Sequence, residues 1–518
     1  MDKVRILWVD DEIDLLKPHI LFLEQKGYYV DTSNNGAEAL EMLSGHPYDI
    51  VFLDEQMPGL SGIETLEKMK DEFPTLPVVM ITKSEEEQIM EEAIGSKISD
   101  YLIKPVNPKQ ILLSLKKNLD EKKLVSEKTT LQYQQEFSPL GMKISGDLDF
   151  NEWSDVYKRL VRWELELEKS TDSGIKEILN MQKLEASKVF AKYIENNYVD
   201  WINGKDNHHP VLSHTLLKEK LFPRLNSDRP LFFLLIDNLR YDQWKVIQPI
   251  IEKHYRVTSD QIYYSILPTV TQYARNALFA GLLPLEIQRK YPQYWVGEDD
   301  EGTKNINEEK LAEEYLKRYG KNLRMSYTKV LNLNIGKKLL DSLSNLLRNH
   351  LNIIVYNFVD MLSHARTEME IIRELADDEP AYRSLTLSWF EHSPLKDIIE
   401  FLGEKGADLI ITTDHGSIRV NEPVKVLGDK NTNTNLRYKT GKALQYNPRE
   451  VFEVKNPNDI YLPKVNVSSS FIFCKRNDFF AYPNNYNYYV NYYKNTFQHG
   501  GISMEEIMIP YIELKPKL

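Results

Sequence analysis

The chain has 518 residues, a formal charge of −12 and a single cysteine, Cys474. That length is more than one hydrophobic core serves and predicts two or three domains, while the acidic balance argues against a duplex-DNA surface, which needs clustered Lys and Arg. One cysteine excludes an internal disulfide, Met1-Asp2-Lys3-Val4 runs straight into a strand without a signal peptide, and no apolar run would span a bilayer, so a cytoplasmic protein with no membrane partner is expected.

Val4 to Val9 reads as a parallel-type apolar strand, followed at once by Asp10-Asp11-Glu12 and an amphipathic helix bearing Ile13, Leu16, Ile20 and Leu23. Ile50 to Leu53 repeats the strand and ends in Asp54, with Met57-Pro58-Gly59 after it. Pro77 to Ile81 ends in Thr82, and Tyr101 to Ile103 ends in Lys104-Pro105. An acidic pair, an Asp, a Thr and a Lys thus share the C-terminal edge of a doubly wound sheet, where such sheets bind ligands. Residues 1–120 resemble a response-regulator receiver domain. The resemblance implies that Asp54 accepts phosphate from a sensor histidine kinase and that Asp10, Asp11 and Asp54 hold Mg²⁺, a cation that prefers oxygen ligands. It further implies that Lys104 pairs with the phosphoryl oxygens and that Thr82 and Tyr101 form the switch.

Residues 121–205 form the expected helical connector, rich in Lys, Glu, Leu and Gln. Trp153, Val156, Leu160, Trp163 and Leu167 recur at helical spacing and make an apolar stripe, which serves as core, dimer surface or lever.

Residues 206–518 carry metal chemistry. Leu231 to Ile236 is an apolar run ending in Asp237; Asn352 to Val359 is a second, followed by Asp360 and, four residues on, His364; Leu409 to Thr413 is a third, ending in Asp414-His415-Gly416. His499-Gly500-Gly501 precedes a last strand-like segment. Asp360 and His364 can share a helical face, and Asp414 and His415 leave one strand end together. Thr271 opens the helical stretch Gln272 to Ala280, closed by Gly281, so its hydroxyl can cap a helix N-terminus that favours phosphate; Thr269 is the competing nucleophile. Together these stretches resemble the alkaline phosphatase superfamily, in its PglZ variant. The resemblance implies a nucleophilic Thr271 and two metal ions, one on Asp360, His364 and His499, the other on Asp237, Thr271, Asp414 and His415. Imidazole and carboxylate without thiolate suit Zn²⁺, with Mn²⁺ the rival.

Arg275, one turn after Thr271, is a candidate substrate clamp. Arg437 and Lys439, in the segment Asn431 to Lys442, are candidate substrate-binding cations, against the plainer reading of a solvated loop. Trp295 to Asn307 is acidic and expected to be a mobile insertion. The Tyr- and Asn-rich run Phe479 to Tyr493 is expected to pack as a wall rather than stack bases.

The expected architecture is α/β throughout: a doubly wound receiver, a helical connector and an alkaline-phosphatase-like α/β domain. This order is similar to the PorX-type regulators. That similarity implies a metal-dependent phosphodiesterase acting on linear or cyclic nucleotide phosphodiesters, control of type IX secretion, a sigma-factor partner and a homodimer formed on phosphorylation. The alternatives are a non-catalytic metal-binding switch that works by association, and a phosphomonoesterase. A sulfatase is disfavoured because Cys474 lies outside any Cys/Ser-x-Pro-x-Arg motif.

Overall fold

A computed structural model describes residues 4–83, 98–170, 172–205, 207–225, 229–298, 300, 302–360, 378–429, 432–464, 466 and 468–517, with the backbone alone for 120–127. The chain divides into two compact units, Met1–Gln134 and Gln135–Leu518.

The first unit is built on β1 (Arg5–Val9), β2 (Tyr29–Ser33), β3 (Ile50–Asp54), β4 (Val78–Thr82) and β5 (Asp100–Ile103), all parallel in the order β2-β1-β3-β4-β5. β1, β3 and β4 are apolar along most of their length because both faces are covered, while the edge strands β2 and β5 are not. Leu7, Val9, Val51 and Leu53 point into one core with Ala39, Leu43 and Leu66; Ile6, Trp8, Ile50 and Phe52 point into the other with Ile111 and Leu115. Helices Gly36–Gly45 and Gly62–Glu72 start where Asn35 and Ser61 accept from the backbone N–H of Glu38 and Glu64, the local signal that stops each preceding loop.

In the second unit, helices Phe150–Glu168 and Ser173–Ile202 begin on Asp149 and Asp172 caps. The predicted stripe Trp153, Val156, Leu160, Trp163 and Leu167 is wholly buried, each residue exposed by 2 % or less. Beyond them come β6 (Leu231–Ile236), β7 (Tyr255–Tyr264), β8 (Met325–Val330), β9 (Leu351–Tyr356) and β10 (Asp408–Thr412). Short pieces follow: β11 (Ile418–Arg419), β12 (Glu422–Lys425), β13 (Tyr438–Gly441), β14 (Val451–Val454), β15 (Ser470–Cys474), β16 (Asp478–Ala481) and β17 (Phe497–Gln498), paired β11-β17, β12-β16 and β13-β15-β14. β18 (Met508–Pro516) completes a six-stranded sheet in the order β7-β18-β10-β6-β9-β8.

Register decides where the chemistry falls. Thr412 lies beside Leu235 and Ile236 beside Tyr356, so β10, β6 and β9 end together and their trailing residues Asp414, Asp237 and Asp360 emerge at one edge. β18 runs antiparallel to β10, with Tyr511 beside Thr412, so the segment that leads into it, from His499, lies at that same edge. β7 in turn opposes β18, with Tyr264 beside Met508, and therefore delivers Thr271 there as well. Among the described residues no helix is long and apolar enough to cross a membrane.

Two expectations need correction here. The stretch Asn431 to Lys442 is no plain solvated loop: Tyr438–Gly441 is β13, paired with β15 and buried along its length. The stretch Trp295 to Asn307 is anchored at points where it is described, with Trp295 8 % and Asn305 7 % exposed and Glu298 accepting from the hydroxyls of Tyr273 and Tyr438, while Asp300, Gly302, Thr303 and Ile306 are exposed. The Tyr-rich run splits, with Phe479 and Phe480 buried while Tyr488 and Tyr489 on helix Tyr486–Tyr493 are exposed.

Candidate metal centre and phosphoacceptor site

In the first unit, strand ends β1 and β3 bring carboxylate oxygens of Asp10, Asp11 and Asp54 within 4.8 Å of one another. Lys104, just after β5, places Nζ 2.9 Å from Asp10 Oδ2 and 2.9 Å from Asp54 Oδ1. Burial pushes the Asp54 carboxyl up to about 6, against the pull of Lys104 and with the help of Asp10. Desolvation also works against the Lys104 ammonium, but its two carboxylate partners win and hold it above its ordinary value. Oxygen donors with surplus negative charge and one exposed member, Asp11, fit a Mg²⁺ ion. Thr82 is buried at the end of β4, its hydroxyl 3.4 Å from Glu55 Oε2, and Tyr101 is 38 % exposed.

In the second unit, ligand atoms of Asp237, Asp414 and His415 lie within 4.8 Å of one another, and all three side chains are buried. Thr271 opens helix Thr271–Ala280, one residue past the N-cap Val270 rather than at the cap itself, and Gly281 ends it in the left-handed conformation with φ 57°. Its Oγ1 stands 3.1 Å from His415 Nε2 and 3.5 Å from Asp237 Oδ1. Asp360 and His499 form a second pair, Oδ1 to Nε2 3.5 Å, and the His499 ring stacks on His415 at 4.3 Å. The structure therefore brings together Asp237, Thr271, Asp414 and His415, with Asp360 and His499 alongside; His364 lies outside the described residues. Burial pushes the His415 imidazole down to about 4, which leaves it neutral and able to bind a cation near pH 7. Buried carboxylates and a neutral imidazole suit zinc better than magnesium.

Thr269 does not compete for the nucleophile's place. It is wholly buried, donates to the carbonyl of Gly501 at 3.0 Å and accepts from the N–H of Gly500 at 3.1 Å, which fixes the turn beside His499.

All three proposed substrate cations are corrected by their burial. Arg275 is wholly buried: Nε donates to Asp414 Oδ2 at 2.9 Å, Nη2 pairs with Asp237, and Nη1 approaches Glu308 Oε1 at 3.6 Å. Burial works against both carboxyls; Arg275 and His415 hold Asp237 below the usual carboxylate range, whereas Asp414 is pushed up to about 7. Arg437 is also wholly buried and spends Nε and Nη2 on Glu506, at 3.0 and 2.6 Å, and its other donors on backbone carbonyls. Glu506 accepts from the N–H of Gly501, so this pair braces the His499 turn. Lys439 donates to the carbonyl of Asn433 at 2.8 Å, and burial pushes its ammonium down to about 8.

Sequence reading missed the supports behind the ligands. Glu308, 1 % exposed, anchors Arg275 and is itself held by Lys329 and Tyr327. Asn305 donates to the carbonyl of Thr271 at 2.9 Å. These contacts link positions tens of residues apart, and no local spacing announces them.

Comparison with known sequences matches three families to successive segments of the chain. The family described as the BREX system PglZ alkaline phosphatase-like domain matches residues 216–514, the PorX response regulator linker domain matches 123–202, and the response regulator receiver domain matches 6–116. The alginate biosynthesis transcriptional regulatory protein AlgB of Pseudomonas putida is 34 % identical over 128 residues, 25 % of this chain and 29 % of that protein. The transcriptional regulatory protein ResD of Bacillus subtilis is 32 % identical over 115 residues, 22 % of this chain and 48 % of that protein. The chain thus spans less than half the length of either relative. A solved CheY-like receiver from Methanospirillum hungatei is 29 % identical, with 23 % of this chain and 96 % of that chain covered and a TM-score of 0.23.

Proposed function

The chain belongs to the PglZ alkaline phosphatase-like family and carries that domain behind a receiver and a PorX-type linker, and on this premise we propose that it is a response regulator whose output is zinc-dependent hydrolysis of nucleotide phosphodiesters. The observation that carries the reading is the convergence of Thr271, Asp237, Asp414 and His415 on one point, with the Asp360–His499 pair stacked beside it. Asp237, Thr271, Asp414 and His415 would hold one zinc ion, and Asp360, His499 and His364 the other. Bound zinc supplies Lewis acidity and lowers the pKa of a coordinated hydroxyl.

The remaining work falls to the chain. Thr271 Oγ attacks phosphorus in line, one ester oxygen leaves, and water then cleaves the phosphothreonine to regenerate the hydroxyl. Helix Thr271–Ala280 begins at Thr271 and so turns the positive end of its dipole to the phosphoryl oxygens. Arg275 keeps the Asp237 and Asp414 carboxylates in fixed positions rather than touching substrate.

A diester is favoured over a monoester because, among the described residues, Arg275 beside Asp237 and Asp414 and Arg437 behind the His499 turn are both committed to carboxylates. A monoester dianion needs a free counter-charge; a diester monoanion needs less. The receiver implies a sensor kinase as phosphodonor, with Mg²⁺ at Asp10, Asp11 and Asp54. Phosphorylation-driven dimerisation, a sigma-factor partner and control of type IX secretion belong to the same proposal through the PorX-type linker. Hydrolysis of a panel of dinucleotides, cyclic dinucleotides and simple monoesters, with zinc and with chelator, tests the reading. Zinc-dependent turnover of a dinucleotide above every monoester supports it, and faster monoester turnover would reverse the ranking. Zinc binding without hydrolysis would leave a switch that acts by association.

A further inference from the structure

Helix Phe150–Glu168 lies in the linker region, yet two of its carboxylates reach a buried arginine of the phosphatase-like domain. Arg383, 2 % exposed on helix Glu379–Glu391, donates Nη1 to Glu164 Oε1 and Asp242 Oδ2 at 3.0 Å each, and Nη2 to Glu168 Oε2 at 2.8 Å. Lys183, on the second linker helix, closes on Glu164 Oε2 at 2.5 Å. Asp242 hands the chain of ion pairs to Arg240, which meets it at 2.9 and 2.5 Å and reaches Glu379 Oε2 at 2.5 Å. The Arg240 guanidinium also lies 5.2 Å over the Phe497 ring and 5.5 Å over Tyr382, and those two rings stack at 3.9 Å.

The chain positions of these groups give the network its meaning. Arg240 follows Asp237 by three residues, Phe497 precedes His499 by two, and Glu379 and Arg383 open the helix beyond the segment that Asp360 begins. A cavity of about 10 Å³, room for one water, is lined by Glu164, Lys183, Arg240, Asp242, Glu379 and Glu505. In so confined a space, charged groups hold fixed partners and do not slide; a shift of one linker helix must be taken up by Arg383, Asp242 and Arg240 together.

We propose that Arg240 and Arg383 are positioning residues through which the linker helices set the geometry of the segments that carry Asp237 and His499, so that the linker is the built-in control element of the metal centre. This rests on the reading of that centre given above.

The test uses the full-length chain with Arg383→Ala and Glu164→Gln, the latter keeping the side chain's shape, and Leu343→Ala, wholly buried on helix Leu333–Leu346, as a packing control away from the network. Zinc affinity is measured by chelator competition, and kcat and KM on a dinucleotide at saturating zinc. Partners behind metal ligands typically contribute 10–100-fold to affinity or activity. Arg383→Ala should weaken zinc binding within that range and lower kcat with KM little changed, Glu164→Gln should do so several-fold, and Arg383→Lys should recover part of the loss. Leu343→Ala should lower the Tm and move neither zinc affinity nor kcat. Wild-type zinc affinity in both Glu164→Gln and Arg383→Ala overturns the proposal, as does an equal loss in Leu343→Ala. Should Arg383→Ala fail to fold, Glu164→Gln decides alone. A wild-type protein that cleaves no phosphodiester defeats the hydrolase reading, while zinc competition still decides the relay.

Discussion

Arg275→Met should destabilise the metal-free protein far more than the zinc-loaded one. Arg275 is wholly buried and is the shared counter-charge of Asp237, Asp414 and Glu308. Removing one partner of a buried ion pair costs about 3–5 kcal/mol because the other charge is left uncompensated. Three carboxylates put this site toward the upper end, and Asp414, already pushed up to about 7, can relieve part of the loss by taking a proton. For a unit the size of Gln135–Leu518, an unfolding entropy of about 2.1 cal/mol/K per residue makes one degree of Tm worth about 0.8 kcal/mol, so the metal-free variant should melt about 4–6 °C lower. Zinc brings positive charge to the same carboxylates, so at one zinc concentration the variant, whose carboxylates have lost Arg275, gains more from the ion than wild type, for which binding at a hundred times Kd adds about 2.7 kcal/mol. Calorimetry in chelator and in excess zinc measures both numbers. A metal-free Tm within a degree of wild type would refute the ion-pair argument, and an equal drop with and without zinc would show that the metal does not share these carboxylates.

Three further outcomes are expected. A Cβ at Gly416 would stand 2.0 Å from the carbonyl oxygen of Glu505, so Gly416→Ala must displace the turn that carries Asp414 and His415; weaker zinc binding by chelator competition checks this. His214 is held down to about 4 by burial, so its stabilising neutrality is complete above about pH 6.5 and is lost as the pH falls toward 4, up to about 3 kcal/mol. His214→Gln should flatten that part of the Tm-against-pH curve, and parallel curves would remove His214 as its cause. Asp54→Ala should stay monomeric under a small phosphodonor and Mg²⁺ while wild type shifts toward dimer, and light scattering that gives identical masses would take dimerisation out of the account.

Much of the candidate site could be read in the sequence because parallel strands buried on both faces leave unbroken apolar runs, and the polar residue that ends each run marks the ligand-binding edge. Asp54, Thr82, Asp237 and Asp414 are of this kind, whereas Lys104 follows the partly exposed edge strand β5. The cations were misread for the opposite reason. Arg275, Arg437 and Lys439 read as cations free to meet substrate, yet each is buried against a partner, Asp414, Glu506 and the Asn433 carbonyl among them. A charge is buried only where a counter-charge or acceptor meets it, and sequence spacing does not show that meeting. The same holds for Glu164 and Arg383, 219 positions apart, and for Asn305 behind Thr271. The Asn- and Thr-rich stretch before Lys442 hid β13 because its pairing partner β15 begins only at Ser470.

The most direct measurement of the central claim is zinc-dependent dinucleotide hydrolysis by wild type and Thr271→Ala, with bound zinc determined on the same samples. Thr271 Oγ1 stands beside both Asp237 and His415, so the account predicts a loss on the order of 10³-fold or more in kcat with zinc content close to wild type. Wild-type turnover by Thr271→Ala at full zinc occupancy would contradict it.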